Sequence, residues 1–241
     1  MLCLNSQWRP PDPSTPNFEP SVTKHIQRQI DVLKQKILYV GTLVEEAIAK
    51  AIVALINRDA VLAAKILEAD NAIDRMEVEV EEECLKILAL YQPVAADLRF
   101  VVAVLKINND LERMGDLAQN IAKRAAYIDK ADPMELGIDF RDMAAKAQNM
   151  VKQSLDALVN ADTALAKTVR TEDDEVDAAR QRIRNQITEA IRRHPDRVEY
   201  LLKFNAVSKH LERIADMATN VAEDVIYMVE GEIVRHQHLE E

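Results

Sequence analysis

The sequence contains few of the residues that interrupt helices. Its 241 residues include only 4 glycines, and five of the 8 prolines stand within the first 20 positions. Aromatic residues make up only 4% of the chain, so most apolar side chains are those of Ala, Leu, Ile and Val. Long stretches without Gly or Pro that are rich in Ala, Leu, Glu, Lys and Arg favour helices, because these side chains lose little rotamer freedom there. We therefore predict an all-α protein.

Other absences exclude whole classes of protein. The two cysteines, Cys3 and Cys84, are too few for a disulfide framework. No uninterrupted apolar run approaches the about 20 residues of a membrane-spanning helix. The first twenty residues lack the charged leader and apolar core of a signal peptide. The formal net charge of −10 repels nucleic-acid backbones. We expect a cytoplasmic protein that neither binds nucleic acid nor inserts directly into a membrane.

The spacing of apolar residues predicts six principal helices. Pro93 and Pro195 mark the corner before the third helix and the corner before the sixth. Asp59 is expected to cap the second helix, and Asn71 to perturb it. The predicted helices cover about 19–57, 59–91, 95–127, 140–160, 162–193 and 197–229.

The second three helices repeat the first three. LERMGDLAQNIA (111–122) and LERIADMATNVA (211–222) share seven of twelve positions at an offset of 100. A weaker similarity pairs ALINRDA (54–60) with ALVNADT (157–163) in the same order. Sequence similarity at a fixed offset is typical of a repeated structural unit. We predict two tandem three-helix bundles related by a pseudo-two-fold repeat.

The chain then divides into five segments, with a linker where Pro and Gly return. We expect a disordered N-terminal arm at 1–19, a first bundle at 20–129 and a linker at 130–139. We also expect a second bundle at 140–230 and a C-terminal tail at 231–241.

Each repeat carries two acidic pairs spaced four residues apart, which places both members on one helix face. Facing residues of a helical hairpin have numbers that add to twice the number of the corner residue. The pairs that would face each other add to 186 in the first repeat and 389 in the second, and half of each sum falls at or beside a corner proline. We therefore predict that four carboxylates meet in each bundle. The pairs are Asp70/Asp74, Glu112/Asp116, Asp173/Asp177 and Glu212/Asp216.

Four converging carboxylates need compensation, because each pair repels by about 1–4 kcal/mol at a surface-like dielectric. A hard cation with oxygen ligands supplies it, and this ligand set favours Mg²⁺, Mn²⁺ or iron and admits Zn²⁺. The alternative is that Arg113 and Arg213 neutralise the acids on solvated helix faces. The doubled register favours the metal hypothesis.

No catalytic or cofactor-binding residue is predicted apart from these metal ligands. The Glu-x-x-His motif of di-iron bundles, a Gly-rich phosphate loop and a nucleophile elbow are all missing from the sequence. The five histidines are therefore interpreted as surface or capping residues rather than ligands.

These motifs, together with YQPVAADLRFVVAVLKINNDLER (91–113), resemble those of the phosphate-uptake regulator (PhoU) family over about residues 20–230. The resemblance implies six helices in two repeats and metal ions, including multinuclear iron clusters, at the four acidic pairs. It also implies a non-enzymatic negative regulator of phosphate uptake and phosphate-starvation signalling. Such a protein links the ATPase of a phosphate ABC transporter to a membrane sensor kinase, and reaches the membrane only through these partners.

Two alternative functions stay open: a PhoU-like regulator of another transporter, and a metal–carboxylate oxidoreductase.

The second repeat has RHPDRVEYLL (193–202) at its corner, so Asp97 and Arg99 have no counterparts there. We interpret Arg99 as a surface residue. We also predict a homodimer, because long helices with few aromatics leave apolar flanks that a monomer would not bury.

Overall fold

The computed structural model describes residues 20–69, 71–129 and 137–232. The predicted arm, most of the predicted linker, most of the tail and the predicted ligand Asp70 lie outside the described residues. Those described contain seven α-helices, one turn of 3-10 helix at Pro195–Arg197 and no strand. The helices are α1 Pro20–Asn57, α2 Ala60–Ala69, α3 Asn71–Tyr91, α4 Ala95–Asp129, α5 Arg141–Asn160, α6 Thr163–Arg193 and α7 Val198–Glu230.

The all-α prediction is confirmed, and so are the six principal helices when α2 and α3 are taken together as the predicted second helix. These two follow each other across Asp70, next to the predicted perturbation at Asn71. The helix limits differ from the predicted ones by a few residues at most. Within the described ranges, no helix combines the length and the apolar character needed to cross a membrane.

The turn between the first and second helices is the same in both repeats. Asp59 accepts a hydrogen bond from the backbone amide of Leu62 at 2.8 Å, which confirms the predicted cap. At an offset of 103, Asp162 accepts two hydrogen bonds of 3.0 Å from amides in the first turn of α6. The residues before the two caps, Arg58 and Ala161, both have left-handed backbone with φ of 53° and 50°. The duplication therefore extends to turn geometry.

Replacing Asp162 by Ala is expected to lower the free energy of unfolding by about 1 kcal/mol, because two amides of α6 lose their acceptor. The Asp162→Asn variant keeps an acceptor at the same place and is expected to stay close to the wild type. Urea unfolding followed by circular dichroism measures both. Equal losses in the two variants would show that the hydrogen bonds at the cap do not cause the effect.

The two bundles pack against each other through α4 on α7 and α1 on α5. Gly41 permits the second contact, since a Cβ atom there would lie 2.6 Å from Cδ1 of Leu155. The inner face of α1 follows the predicted spacing of four and three residues. Its buried side chains include Leu33, Ile37, Val40, Val44 and Ile48.

Polar contacts also join the bundles. Lys106 of α4 forms an ion pair of 3.3 Å with Asp224 of α7, whose carboxylate is almost fully buried. The Nε atom of Arg99 donates a hydrogen bond of 3.0 Å to the carbonyl oxygen of Met228 in the last turn of α7. The interpretation of Arg99 as a surface residue was therefore wrong, because this side chain binds a carbonyl at the end of the opposite bundle.

Candidate functional site

The acids of the second repeat form one group, the second carboxylate cluster, which consists of Asp173 and Asp177 on α6 and Glu212 and Asp216 on α7. Partial burial is the largest cause that raises the pKa of Asp173, from its ordinary value of 3.8 to about 6. The negative charges of Asp216, Asp177 and Glu212 raise it further. The structure thus brings the four predicted carboxylates together in the register that the corner at Pro195 predicts.

An arginine that the sequence analysis did not single out enters this cluster. Nη1 of Arg180 lies 2.7 Å from Oε1 of Glu212. Partial burial raises the pKa of Glu212, and Arg180 is the largest influence that opposes the rise. It also opposes the raised pKa of Asp216. The second cluster therefore holds its own positive charge.

The two arginines that the alternative hypothesis named contribute less directly. Arg213 opposes the burial-raised pKa of Asp216, and Arg113 opposes that of Glu112. The guanidinium group of Arg113, however, makes its ion pair with Asp110, at 3.8 Å. Arginine therefore compensates acids here, as the alternative hypothesis states. The shortest ion pair, however, is made by Arg180 and not by Arg113 or Arg213.

The acids of the first repeat form the first carboxylate cluster, which consists of Asp74 and Glu77 on α3 and Glu112 and Asp116 on α4. Partial burial raises the pKa of Glu112, and the charges of Asp116, Asp74 and Glu77 raise it further. Three predicted residues therefore come together here with an additional acid, Glu77. The fourth predicted residue, Asp70, lies outside the described residues.

Glu77 and Arg180 occupy the same position in the two repeats. The offset of 103 that aligns the two helix caps also aligns Asp74 with Asp177 and Glu77 with Arg180. Where the second cluster has an arginine, the first has a fourth carboxylate. Neither residue was predicted from the sequence, although both stand one helical turn after the aligned aspartates.

The donor set of both clusters suits a hard cation, because every predicted ligand offers carboxylate oxygens. Burial and, after it, neighbouring negative charges raise the pKa of Asp173 and of Glu112, and a bound cation would offset the contribution of the charges. Among the described residues, no three His, Cys, Asp or Glu side chains surround a common point in a way that could hold a metal ion. Binding would require carboxylates to rotate towards each other, and their role as metal ligands stays a prediction.

His210 is a partly buried residue of α7. Neither of its buried ring nitrogens has a hydrogen-bond partner among the described residues. Burial lowers its pKa to about 4, with contributions from the charges of Arg124 and Arg213. The interpretation as a surface or capping residue was wrong for the imidazole of His210, because both of its ring nitrogens are buried.

The sequence as a whole matches a known family. The family model described as PhoU domain matches residues 37–125 and again 140–225. The chain is 38% identical over 214 residues to a phosphate-specific transport system accessory protein PhoU homolog from Aquifex aeolicus, covering 89% of this chain and 97% of the relative. It is 36% identical over 221 residues to the homolog of that name from Pseudomonas aeruginosa, covering 90% of this chain and 91% of the relative.

Solved structures agree with these relatives. The crystal structure of PhoU from Pseudomonas aeruginosa superposes with a TM-score of 0.82 at 34% identity, covering 86% of this chain and 99% of that chain. The phosphate transport system regulatory protein PhoU from Streptococcus pneumoniae gives a TM-score of 0.79 at 29% identity, covering 87% and 99%. With two copies of the family domain, its tandem bundles and relatives matched over nearly their full length, this chain belongs to the PhoU family.

Proposed function

We propose that this protein is a negative regulator of phosphate uptake and of phosphate-starvation signalling, acting as an adaptor between a phosphate ABC transporter and its sensor kinase. The observation that carries the proposal is the match over 97% of the length of a relative named as an accessory protein of the phosphate-specific transport system. A chain that corresponds to the whole relative can supply the same surfaces to partners. The proposed role is binding, without catalysis.

Cations at the carboxylate clusters are the second part of the proposal. In the first cluster, Asp74, Glu77, Glu112 and Asp116 would hold the ion, with Asp70 as a further ligand. A bound cation supplies positive charge between the acids and so stabilises the packing of the hairpin helices. In the second cluster Arg180 already supplies such a charge to Glu212 at 2.7 Å. We therefore expect the first cluster to bind the metal more tightly.

Deleting the gene for this protein tests the regulatory role. In phosphate-rich medium, the deletion strain is expected to take up more phosphate and to express a phosphate-starvation reporter that the parent keeps silent. A plasmid copy of the gene should restore both, and an empty plasmid should not. Unchanged uptake and an unchanged reporter in the deletion strain would contradict the proposal.

Affinity capture from phosphate-replete cells tests the partners. The tagged protein is expected to retain the ATPase of the phosphate transporter or the sensor kinase, and the tag alone should retain neither. Capture of the ATPase of another transporter would instead support the alternative of a PhoU-like regulator for that system.

Oxygen consumption by the iron-loaded protein would support the oxidoreductase alternative.

We further propose a cytoplasmic homodimer. The corner between α3 and α4 supports association because it exposes Leu90, Val94 and Leu98, with 67%, 74% and 40% of their surface accessible. Exposed apolar groups close together favour contacts with another protein surface. Multi-angle light scattering is expected to give twice the mass of the chain. A stable monomer at micromolar concentration would contradict this prediction.

A further inference from the structure

The first bundle contains an apolar groove of about 320 Å³ between α1, α2, α3 and α4. Glu46, Lys50 and Lys65 stand at its rim. At its floor, Gly115 leaves room beside Ile73, since a Cβ atom there would lie 3.0 Å from Cδ1 of Ile73. The apolar lining includes Leu43, Ala47, Leu62, Ile66, Ile73 and Gly115.

The corresponding surface of the second bundle is polar. At the offset of 103, Leu43 becomes Lys146, whose Nζ lies 2.6 Å from Oε2 of Glu175. Gln153 reaches Glu172 at 3.4 Å across the same boundary between α5 and α6. The second bundle also has a pocket here, of about 250 Å³, but its lining is mostly polar and includes Lys146, Asn149 and Glu175. The apolar lining is therefore specific to the groove of the first repeat, and it calls for an apolar occupant.

Two exposed apolar residues of α1 form a line with Leu43 towards this groove, with Lys36, which pairs with Glu79 at 3.2 Å, between them. Val32 and Tyr39 are 36% and 53% exposed, and they precede Leu43 by eleven and four residues. This spacing places all three on one side of the helix. The line runs from Val32, twelve residues after the beginning of α1, to the lining of the groove. An exposed aromatic side chain such as Tyr39 is a surface on which proline-rich segments pack.

The segment before α1 has the composition and length to follow this line. It carries five prolines up to Pro20, and Trp8 is the single tryptophan of the chain. Proline-rich segments extend by about 3.1 Å per residue, so Trp8 can reach about 37 Å from Pro20. Along a helix that rises by about 1.5 Å per residue, Leu43 and Lys50 lie about 35 Å and 45 Å from Pro20. A fully extended segment that turns back along α1 therefore brings Trp8 to the end of the groove at Leu43.

We propose that Trp8 occupies the apolar groove of the first bundle, with the proline-rich segment lying along Val32 and Tyr39. An indole group has the large apolar surface that such a groove can bury. The occupied groove adjoins the first carboxylate cluster, because Ile73 and Gly115 directly precede Asp74 and Asp116.

Tryptophan fluorescence of the full chain tests this proposal, because Trp8 is the only source of the signal. The native protein is expected to emit to the blue of the urea-unfolded protein and to resist acrylamide quenching several-fold better, independently of protein concentration. Leu43→Lys and Ala47→Lys place a charge in the groove, and each should return emission and quenching towards the unfolded values. Val53→Lys, at an exposed site of α1 outside the groove, should leave both unchanged.

Circular dichroism establishes which groove variants keep their helices, and either of the two is sufficient for the test. Native emission equal to that of the unfolded chain would overturn the proposal and leave the groove to another molecule. A blue shift that disappears on dilution would overturn it too, because Trp8 would then bind another copy. So would a blue shift that persists in a folded groove variant.

Discussion

Added Mn²⁺ is expected to raise the melting temperature, mainly through the first carboxylate cluster. A ligand at one hundred times its dissociation constant stabilises the folded state by about 2.7 kcal/mol. For a chain of this size that corresponds to a rise of roughly 5 to 11 °C. The first cluster should dominate because Glu77 adds a carboxylate where Arg180 of the second cluster already binds Glu212, at 2.7 Å.

The two repeats supply a matched pair of variants for this experiment. Asp116→Asn and Asp216→Asn each remove one charge and preserve side-chain shape. Calorimetry with Mn²⁺ or with a chelator should show that Asp116→Asn loses most of the metal-dependent rise and Asp216→Asn only a small part. Without metal, the double variant should be no less stable than the wild type, because repulsion between carboxylates has fallen.

The contrast between Glu77 and Arg180 can be tested by changing the arginine alone. In the Asp116→Asn background, Arg180→Glu should restore a metal-dependent rise, because the second cluster then has the charges of the first. Arg180→Gln, which removes the positive charge without adding a carboxylate, should restore less. If Mn²⁺ has no effect on the wild type and both Asn variants lose stability, arginines rather than metal compensate the clusters.

Asp173→Asn is expected to increase the free energy of unfolding at pH 7 in chelator. Burial and neighbouring carboxylates raise the pKa of Asp173 from 3.8 to about 6, so its charged form destabilises the folded protein. The gain should be roughly 1–2 kcal/mol, since solvent screens a half-exposed group and reduces the full shift. The increase should appear in urea unfolding curves as a higher midpoint.

The pH dependence of the free energy of unfolding tests the same prediction independently. Because the folded pKa is higher than the unfolded pKa, the folded state binds more protons between pH 6 and pH 4. The contribution of Asp173 to stability therefore improves as the pH falls from 7 through 6. Asp173→Asn should lack this gain, while Asp174→Asn, which removes one exposed charge among several that raise the pKa of Asp173, should keep most of it. A variant less stable than the wild type at pH 7 would show that the carboxylate makes a favourable contact in the fold.

Much of the architecture follows from local features of the sequence. Apolar spacing and the absence of Gly and Pro gave the limits of the helices, and Asp59 gave a cap that the structure contains. The corner at Pro195 predicted which carboxylates of α6 and α7 meet. A helical hairpin with a short corner allows little freedom of register. The residue numbers alone therefore predict that Asp173 and Asp216 lie at the same height along their two helices.

Which positive charges offset those of the carboxylates depended on contacts between helices. The position one turn after the aligned aspartates carries Glu77 in one repeat and Arg180 in the other, and only the packed hairpin shows Arg180 at Glu212. The burial of the His210 ring nitrogens likewise depends on the packing of the folded chain.

By itself, the sequence determined the helices, their duplication and the register of each hairpin, because spacing, caps and corner prolines act over a few residues of chain. Only the tertiary structure decided which charges are paired and where an apolar groove stays open. These outcomes depend on the volume and reach of side chains from helices distant in sequence, as at Gly41 against Leu155 and at Gly115 beside Ile73.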